Sequence, residues 1–451
     1  MKISIDLPGE LKPILEDIAR SGGEPYLIGG GVIDPLQGRE VKDWDIEVHG
    51  LSQPELGSIL SGHASAPFVG NRFATFKLRL DSVYDFSLPR RETSTGAGHN
   101  DFDFEFDPSL SLEEAAYRRD LTINSMAVRL DDSELFDFYG GLKDLEAGML
   151  RHTSEKFVED PIRVLRIMQL LPRKGRSVHP ETIELARSLS PSYPALNRER
   201  VEEEWDKLLL KPNNPSAGLQ FLVDCGWISH YPELEALQYT PQNPVHHPEG
   251  DVWTHTKLVV DAGASFRENL PAEWKRAYMY GLLLHDVGKA VTTQPDYSAN
   301  GHEQAGVPLA LEFLSRFSDN SELRQYVSQI VANHMTPGQL YRQGSDERAW
   351  RRLHNRAPLN ILGYVAMADS LGRGFDPPVE DPAGKLALDY FTQFGESTKP
   401  IPHLVMGRDL IALGYKPGPG IGQMVKQGYE LQLDGAERPA ILANLTSRYP
   451  L

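Results

Sequence analysis

The stretch YLIGGGVIDPLQGREVKDWDIEVHG, residues 26 to 50, joins an apolar run, three glycines and an alternating acidic run. The apolar run favours a short buried strand, the glycines allow a tight turn, and VIDPLQG favours a short helix. Backbone N–H groups at such a turn can face an anion. The turn made by Gly29, Gly30 and Gly31 is therefore a candidate phosphate site, with a plain turn between two strands as the alternative.

The acidic run KDWDIEV has the alternation of a strand whose two faces differ. Asp43, Asp45 and Glu47 share one face, and the apolar residues between them share the other. Neighbouring carboxylates are costly unless a cation lies between them, and Mg²⁺ favours a few carboxylates together with phosphate oxygens. Asp85, in the candidate strand SVYDFSLPRRE, could be a third carboxylate. Two metal ions held in this way would support phosphoryl or nucleotidyl transfer, although a polar strand face without metal is the alternative.

Length and composition limit the class of protein. A chain of 451 residues exceeds what one hydrophobic core usually serves, so several domains are expected. The formal net charge of -17 argues against an overall basic surface, while a local basic cleft for nucleic acid stays compatible with it. One cysteine excludes an internal disulfide framework, and no apolar run is long enough to span a bilayer. Without the apolar core of a signal peptide, the sequence predicts a cytoplasmic protein with no membrane partner.

A later stretch, VEDPIRVLRIMQLL, has the apolar spacing of a helix. Such a helix would put Glu159, Arg163 and Arg166 on one face, with Asp160 beside them. A solvated helix face is the alternative. The next segment, QLLPRKGR at 169–176, contains Pro172, which predicts an early end to this helix.

Five motifs together carry a resemblance to a known family. They are the opening stretch, RRDLTINSMAV at 118–128, DFYGGLKDLEAGMLR at 137–151, EDPIRVLR at 159–166 and ERVEEEWDKLL at 199–209. In order and spacing they resemble the class II tRNA nucleotidyltransferases, which comprise the bacterial CCA-adding, CC-adding and A-adding enzymes and the related poly(A) polymerases. The resemblance implies transfer of nucleotides from CTP and ATP, with Mg²⁺, to the 3′ end of tRNA.

The resemblance also implies roles for the matched residues. Asp160 would accept a hydrogen bond from the amino group of cytosine or adenine, and Arg163 would donate to the neighbouring ring acceptor. Guanine and uracil present a carbonyl there and would leave a buried carboxylate unpaired. Asp43 and Asp45 would hold Mg²⁺, with Asp85 assisting. The remaining nucleotide-binding positions are Gly29, Gly30, Gly31, Asp34, Lys42, Arg118, Arg119, Asp120, Asn124, Glu159 and Arg166.

Two features bear on how well the chain would perform this reaction. Ile33 stands where the family usually has an arginine that contacts the triphosphate. A charge-assisted contact contributes about 1.5–3 kcal/mol, so its loss would weaken nucleotide binding about tenfold to a hundredfold unless Lys42 or Arg39 substitutes. The segment 90–117 is rich in Gly, Ser and Asp and favours a mobile loop. In the family a flexible loop here helps the switch from CTP to ATP, which favours complete CCA addition.

The second half of the chain contains a different set of polar residues in apolar, helical segments. Imidazoles and carboxylates in such a set suit Mn, Fe, Ni or Zn, and helical bundles commonly carry such metal sites. Their order resembles the HD phosphohydrolase superfamily, in which metal-activated water attacks a phosphomonoester or phosphodiester, with Lys289 near the anion. In tRNA nucleotidyltransferases with this domain, substrates include 2′,3′-cyclic phosphates and 2′-phosphates. The candidate ligands are His255, His285, Asp286, His302, His334 and Asp369.

The expected architecture is α+β: a polymerase-beta-like nucleotidyltransferase head with a small mixed sheet, an all-α neck, an HD domain and a C-terminal helical arm. The boundaries are 1–150, 151–235, 236–385 and 386–451. The expected partners are tRNA, CTP and ATP, and the sequence does not fix the oligomeric state. Two alternatives stay open: an A-adding, CC-adding or poly(A)-forming enzyme, and an RNA-binding HD phosphohydrolase whose head has lost transfer.

Overall fold

The computed structural model describes residues 1–63, 68–70, 75–94 and 102–450. The chain forms two compact units. The first unit comprises Met1–Leu208 and Ala217–His230, and the second comprises Leu209–Ser216 and Tyr231–Leu451. In the part of the chain that is described, no helix has the length and apolar character needed to cross a membrane.

The first unit is built on a mixed sheet. Its strands are β1 (Glu24–Ile28), β2 (Trp44–His49), β3 (Phe68–Gly70), β4 (Thr75–Arg79), β5 (Val83–Ser87), β6 (Arg90–Ser94), β7 (Phe102–Phe106), β8 (Ala127–Arg129), β9 (Leu135–Phe136), β10 (Met149–Leu150) and β11 (Ser177–Val178). Seven of them form one sheet in the order β3-β4-β5-β2-β1-β8-β9. In that sheet β2 and β5 are parallel, and the other neighbours are antiparallel. The strands β6 and β7 form a separate hairpin, and β10 pairs with β11.

Helices surround this sheet and then dominate the unit. They are α1 (Lys12–Arg20), α2 (Gly30–Leu36), α3 (Gln53–Ser61), α4 (Leu112–Tyr117), α5 (Thr122–Ser125), α6 (Gly141–Ala147), α7 (Arg163–Lys174), α8 (Pro180–Ser188), α9 (Arg198–Leu210) and α10 (Ser216–Asp224). The predicted order of a strand, a glycine turn and a short helix is confirmed by β1, Gly29 and α2. A Cβ atom on Gly31 would lie 2.7 Å from Leu27 Cδ1 and 3.0 Å from the Asp43 carbonyl oxygen, so the turn packs tightly only with glycine there.

The segment 90–117, predicted to be a mobile loop, is partly regular in the described residues. Five register pairs join β6 and β7, and α4 follows. Two sequence signals explain the difference. Phenylalanines alternate with acidic residues in FDFEF, as in a strand, and Ser111 with Glu114 forms a capping box at the start of α4. Residues 95–101 lie outside the described residues.

The predicted helix through VEDPIRVLRIMQLL is wrong at both ends. It begins at Arg163, because Pro161 disfavours helical geometry at Asp160, which is extended at φ -130° and ψ 94°. It then continues past Pro172 to Lys174. Pro172 has no N–H for the Met168 carbonyl. That carbonyl lies instead against Gly218, where a Cβ atom would come within 2.2 Å of its oxygen.

The second unit is helical. Its helices are α11 (Pro232–Glu235), α12 (Val252–Ala264), α13 (Ala272–Leu284), α14 (Lys289–Thr292), α15 (His302–Ser315), α16 (Ser321–Asn333), α17 (Thr336–Arg342), α18 (Glu347–Arg356), α19 (Leu359–Leu371), α20 (Pro382–Gln393), α21 (Gly407–Ala412), α22 (Pro419–Leu433) and α23 (Arg438–Arg448). The α+β class, with a mixed-sheet head and helices after it, is confirmed. The four-part division into domains stays a prediction.

Candidate active sites

The acidic strand β2 presents its carboxylates beside a second acidic strand. The apolar residues Trp44, Ile46 and Val48 are buried, as the alternation predicts. In the parallel register, Asp45 stands directly opposite Asp85 of β5. The sequence had no means of fixing this pairing, since it depends on how two strands separated by a long connection are aligned.

The charge balance at this place favours a bound cation. Burial raises the pKa of Asp45, and the neighbouring carboxylates of Asp85 and Asp43 raise it further. Asp85 Oδ1 is buried and has no hydrogen-bond partner among the described residues, while Asp85 Oδ2 lies 3.4 Å from Lys77 Nζ. A divalent cation would relieve this repulsion and give the buried oxygen a ligand bond. The residues therefore fit Mg²⁺.

The three carboxylates do not converge as one tight ligand set. Within the described residues, groups of three ligand atoms that all lie within 4.8 Å of one another occur in the second unit and not among Asp43, Asp45 and Asp85. Mg²⁺ usually takes one or two carboxylates and completes its shell with water and phosphate oxygens. The geometry thus suits a metal that is fully held only together with a nucleotide.

Glu47, the third acidic residue of β2, has a different role. Its Oε1 accepts from Arg119 Nη2 at 3.0 Å and lies 3.1 Å from His49 Nε2. Burial opposes ionisation, but Arg119 and His49 outweigh it and lower the pKa of Glu47 to about 2. Arg119 also donates to the backbone carbonyl of Asn124 at 3.3 Å. Glu47 therefore fixes Arg119, one of the predicted nucleotide-binding residues, in place.

Asp120 is buried and organises two other predicted residues. Its Oδ2 accepts from Arg166 Nε at 2.7 Å, and its Oδ1 accepts from Asn124 Nδ2 at 3.0 Å. Burial opposes ionisation, but Arg166 and Asn124 outweigh it and lower the pKa of Asp120 to about 2. The structure thus joins Asp120, Arg166 and Asn124, which the sequence places in two distant motifs.

We expect Asp120→Asn to lower the free energy of unfolding by about 2–3 kcal/mol at pH 7, because it leaves Arg166 without its charged partner. The pKa of Asp120 is lower in the folded than in the unfolded chain, so its charge stabilises the fold above about pH 4. That contribution is lost as pH falls towards 2. Urea unfolding at pH 7 and at pH 3 should therefore show that the free energies of unfolding of the wild type and of Asp120→Asn differ less at pH 3 than at pH 7. Asp131→Asn, at an exposed aspartate, is the control, and an equal gap at both pH values would contradict the assignment.

The predicted base-reading residues are close in sequence but do not face each other. Arg163 donates to two backbone carbonyls, those of Lys156 at 2.7 Å and Arg118 at 2.8 Å. Asp160 instead pairs with Arg200 of α9, whose Nη2 donates to Oδ2 at 2.8 Å. Arg200 was not among the predicted residues, although it lies in a matched motif. A base that pairs with Asp160 must therefore share this carboxylate with Arg200.

The remaining predicted residues of the head have different partners. Arg118 Nη2 donates to Glu159 Oε2 at 2.8 Å, which joins two motifs. Lys42 is exposed at the surface before β2. Asp34 Oδ1 accepts a hydrogen bond from Lys174 Nζ at 2.8 Å. Lys174 was not among the residues predicted from the sequence.

The second unit brings all six predicted HD residues to one place. His255 lies in α12 and Asp369 in α19, and His255 Nε2 lies 3.0 Å from Asp369 Oδ1. His285 and Asp286 directly follow α13. The Nε2 atoms of His285 and His302 lie 3.2 and 3.3 Å from the Asp286 carboxylate. His334, which follows α16, completes the set with Nε2 3.2 Å from His302 Nε2.

Five of the six residues form two ligand groups that share Asp286, and Asp369 lies beside them against His255. One group adds His255 and His285 to Asp286, and the other adds His302 and His334. Within each group the ligand atoms all lie within 4.8 Å of one another. His255 Nε2, His285 Nε2 and Asp286 Oδ1 are buried without a hydrogen-bond partner among the described residues. Such atoms are the ligand atoms that a divalent metal needs, and so the residues fit metal binding. Lys289 Nζ lies 2.7 Å from Asp286 Oδ2, and its place near a substrate anion stays a prediction.

Sequence reasoning missed a carboxylate that orients one of these imidazoles. Glu249 Oε1 lies 2.8 Å from His255 Nδ1 and 2.8 Å from His247 Nδ1, and its side chain is 2% exposed. A carboxylate on Nδ1 fixes the tautomer in which Nε2 is free to bind a metal. The only signal was the position of Glu249, six residues before His255 in HHPEGDVWTH.

Comparison with known proteins identifies two domains in this chain. A family model of the poly A polymerase head domain matches residues 25–151, and a model of the HD domain matches residues 252–374. The multifunctional CCA protein of Pseudomonas aeruginosa is 38% identical over 318 residues, which cover 69% of this chain and 74% of that protein.

Solved structures share the fold. A Bacillus stearothermophilus CCA-adding enzyme in complex with CTP gives a TM-score of 0.66 at 18% identity, with 98% of each chain covered. A Thermotoga maritima CCA-adding enzyme complexed with tRNA gives a TM-score of 0.58 at 19% identity and covers 97% of this chain and 94% of that one.

Fold and sites together define a nucleotidyltransferase whose acidic strand suits a metal ion and which carries an HD domain further along the chain. Metal dependence is a property of both families, and the residues of both sites are compatible with it. The chain belongs to the multifunctional CCA protein family of tRNA nucleotidyltransferases.

Proposed function

We propose that this chain adds the CCA sequence to the 3′ end of tRNA from CTP and ATP without a nucleic acid template. The observation that carries the proposal is the pairing of Asp45 with Asp85 beside Asp43 and the glycine turn. The P. aeruginosa relative is named a multifunctional CCA protein, and the T. maritima structure with a similar fold is a CCA-adding enzyme complexed with tRNA. We place the protein in the cytoplasm, where tRNA is available.

In the proposed reaction, Mg²⁺ at Asp43 and Asp45 would supply Lewis-acid chemistry, with Asp85 assisting. The 3′-hydroxyl of tRNA attacks the α-phosphorus of the nucleotide, a P–O bond forms, and pyrophosphate leaves. Asp160 and Arg163 recognise the base, and Arg119, held by Glu47, faces the sugar and phosphates. Gly29 and Gly30 leave room for the phosphates at the turn, and Gly31 allows the turn to pack against Leu27.

The direct test is the mass of the product. A tRNA transcript that ends before CCA is incubated with CTP, ATP and Mg²⁺ and weighed by mass spectrometry. A gain of two cytidylates and one adenylate supports the proposal. A gain of cytidylates alone or adenylate alone would point to the CC-adding or A-adding alternative, and a long adenylate tail would point to a poly(A)-forming enzyme.

Base selection should depend on Asp160. We expect Asp160→Ala to lower kcat/KM for CTP about tenfold to a hundredfold and to change kcat/KM for UTP little, because only cytosine offers an amino group to this carboxylate. Steady-state incorporation of CTP and UTP into one transcript measures both values. Glu155→Gln, an exposed residue of the preceding turn, is the control. An unchanged ratio of CTP to UTP would mean that another residue reads the base.

A second function is favoured by the ligand groups that share Asp286. We propose that the HD domain hydrolyses phosphomonoesters or phosphodiesters at RNA ends, such as 2′,3′-cyclic phosphates and 2′-phosphates. Mn, Fe, Ni or Zn at the six residues would activate the attacking water. Hydrolysis of the 3′-O–P bond of a 2′,3′-cyclic phosphate would free the 3′-hydroxyl that nucleotide addition requires and leave a 2′-phosphate, which hydrolysis of the monoester would release as inorganic phosphate. The two proposed activities would therefore act on the same class of substrate.

A further inference from the structure

The last turn of α7 places two cations near the glycine turn. Lys174 Nζ lies 2.8 Å from Asp34 Oδ1, and its side chain is 11% exposed. Arg173, the residue before it, is half-buried and lies close enough to Asp43 and Asp34 for both carboxylates to act on it. These cations come from a segment about 140 residues away along the chain from the turn itself.

Neutralising Asp34 does not require both of its partners. Arg39 Nη2 also lies 2.9 Å from Asp34 Oδ1, with 47% of its side chain exposed. One carboxylate oxygen thus faces two cations, and Arg173 adds a third positive charge nearby. Arg39 alone can therefore neutralise Asp34, which leaves Lys174 Nζ able to pair with a second anion.

The position of Lys174 in the last turn of α7 has a simpler explanation, but that explanation does not account for the burial of the side chain. Cations favour the last turn of a helix and can do so in water. Burial of an ammonium group costs free energy, and here burial lowers the pKa of Lys174 while Asp34 opposes that effect. A buried cation that is not needed to neutralise its neighbour is typical of a ligand-binding position.

Ile33 leaves the position of the family's arginine without a charge. Its side chain is 1% exposed and packs in the core. Lys42 is exposed and has no described contact with Asp34. Lys174, in contrast, contacts the residue that directly follows Ile33.

The continuation of α7 past Pro172 also bears on the position of Lys174. A helix that ended at Pro172 would leave Arg173 and Lys174 in a following coil. Packing of Gly218 against the Met168 carbonyl accompanies the continued helix, and Lys174 then lies in its last turn. The uncharged Ile33 and the helix that continues through Pro172 are thereby connected at Asp34, which follows Ile33 in sequence and contacts Lys174.

We propose that Lys174, with Arg173 beside it, binds the triphosphate of the incoming nucleotide in place of the arginine that is absent at Ile33. This inference rests on the nucleotidyl transfer proposed above. In the free protein Asp34 holds Lys174 Nζ in position. In the complex Nζ donates to a phosphate oxygen, while Arg39 remains with Asp34.

The test compares CTP with CMP, since only the triphosphate reaches the proposed cation. Lys174→Met should weaken CTP binding, measured by titration calorimetry with Mg²⁺, about tenfold to a hundredfold and leave CMP binding unchanged. KM for CTP should rise with little change in kcat. Lys174→Arg should retain most of the affinity. Lys143→Met, at an exposed lysine of α6, is the matched control.

Three outcomes would overturn the inference. They are unchanged CTP affinity in Lys174→Met, an equal loss for CTP and CMP, and a loss in Arg39→Met in place of Lys174→Met. If Lys174→Met does not fold, Lys174→Gln, which can still donate to Asp34, takes its place. Wild-type protein that incorporates no nucleotide would refute the proposed function, whereas active wild type with unchanged CTP affinity in the variant would refute only this inference.

Discussion

Replacing Asp43 and Asp45 together by alanine is expected to reduce nucleotide incorporation by about a thousandfold or more. The metal that these carboxylates would hold stabilises the charge that develops in transfer by several kcal/mol, and each 1.36 kcal/mol is a factor of ten in rate. The double variant should also leave the HD activity intact, because the HD ligands all lie in the second unit.

The loss should not come from unfolding. Asp43 is exposed, and the pKa of Asp45 is raised by burial and by the carboxylates of Asp85 and Asp43, so the pair is under mutual repulsion. Removing it relieves that repulsion, and the free energy of unfolding should stay equal or rise. A urea titration beside the incorporation assay separates the two effects.

The matched control is Asp81→Asn, an exposed aspartate in the turn before β5. It removes one negative charge from the same sheet and should keep incorporation within about twofold of wild type, as surface substitutions usually do. Incorporation by Asp43→Ala/Asp45→Ala within tenfold of wild type would place the reaction elsewhere in the chain. Should the wild-type protein incorporate no nucleotide and yet hydrolyse phosphate at RNA ends in a way that His285→Ala abolishes, the protein would be an HD phosphohydrolase with a head that only binds RNA.

The second large effect is expected for His285→Ala. Hydrolysis of bis(p-nitrophenyl) phosphate and of a 2′,3′-cyclic nucleotide should fall by about a thousandfold, because the metal would lose a ligand that lies beside Asp286. Bound metal, measured by mass spectrometry of the purified protein, should fall as well, which gives a readout that does not depend on activity. Incorporation of CTP should stay unchanged.

A matched control exists for this variant too. His246 is exposed and lies outside the ligand groups, and so His246→Ala should keep both the metal content and the hydrolysis. Asp286→Asn should repeat the effect of His285→Ala, since Asp286 is the residue that the two groups share. Retained hydrolysis in both His285→Ala and Asp286→Asn would contradict the HD assignment, whatever the metal content.

The sequence was most informative where the residue types and their order along the chain reflect the chemistry of a site. The alternation in KDWDIEV predicted which side chains of β2 are buried, and the order of histidines and carboxylates predicted a set that the second unit does assemble. In both cases the pattern itself carries the constraint. A strand alternates its faces, and helical metal sites repeat the same few ligand types.

The particular partner of a side chain in a distant segment could not be predicted. The sequence named Asp85 as a candidate third carboxylate, but neither its register opposite Asp45 nor the pair of Asp160 with Arg200 follows from the sequence, because both depend on packing. The proline rule failed at Pro172 because a glycine on another helix accommodates the Met168 carbonyl. Because the helix was expected to end at Pro172, Lys174 was not predicted to lie near Asp34, a contact that requires the helix to continue.

The measurement that tests the central claim most directly uses three tRNA transcripts, which end before CCA, after the first C and after CC. Each is incubated with Mg²⁺ and labelled CTP and ATP, and the products are resolved at single-nucleotide length. We expect all three to be extended to the complete CCA end and not beyond. Absence of incorporation on all three would contradict the account and leave the HD phosphohydrolase as the function of the chain.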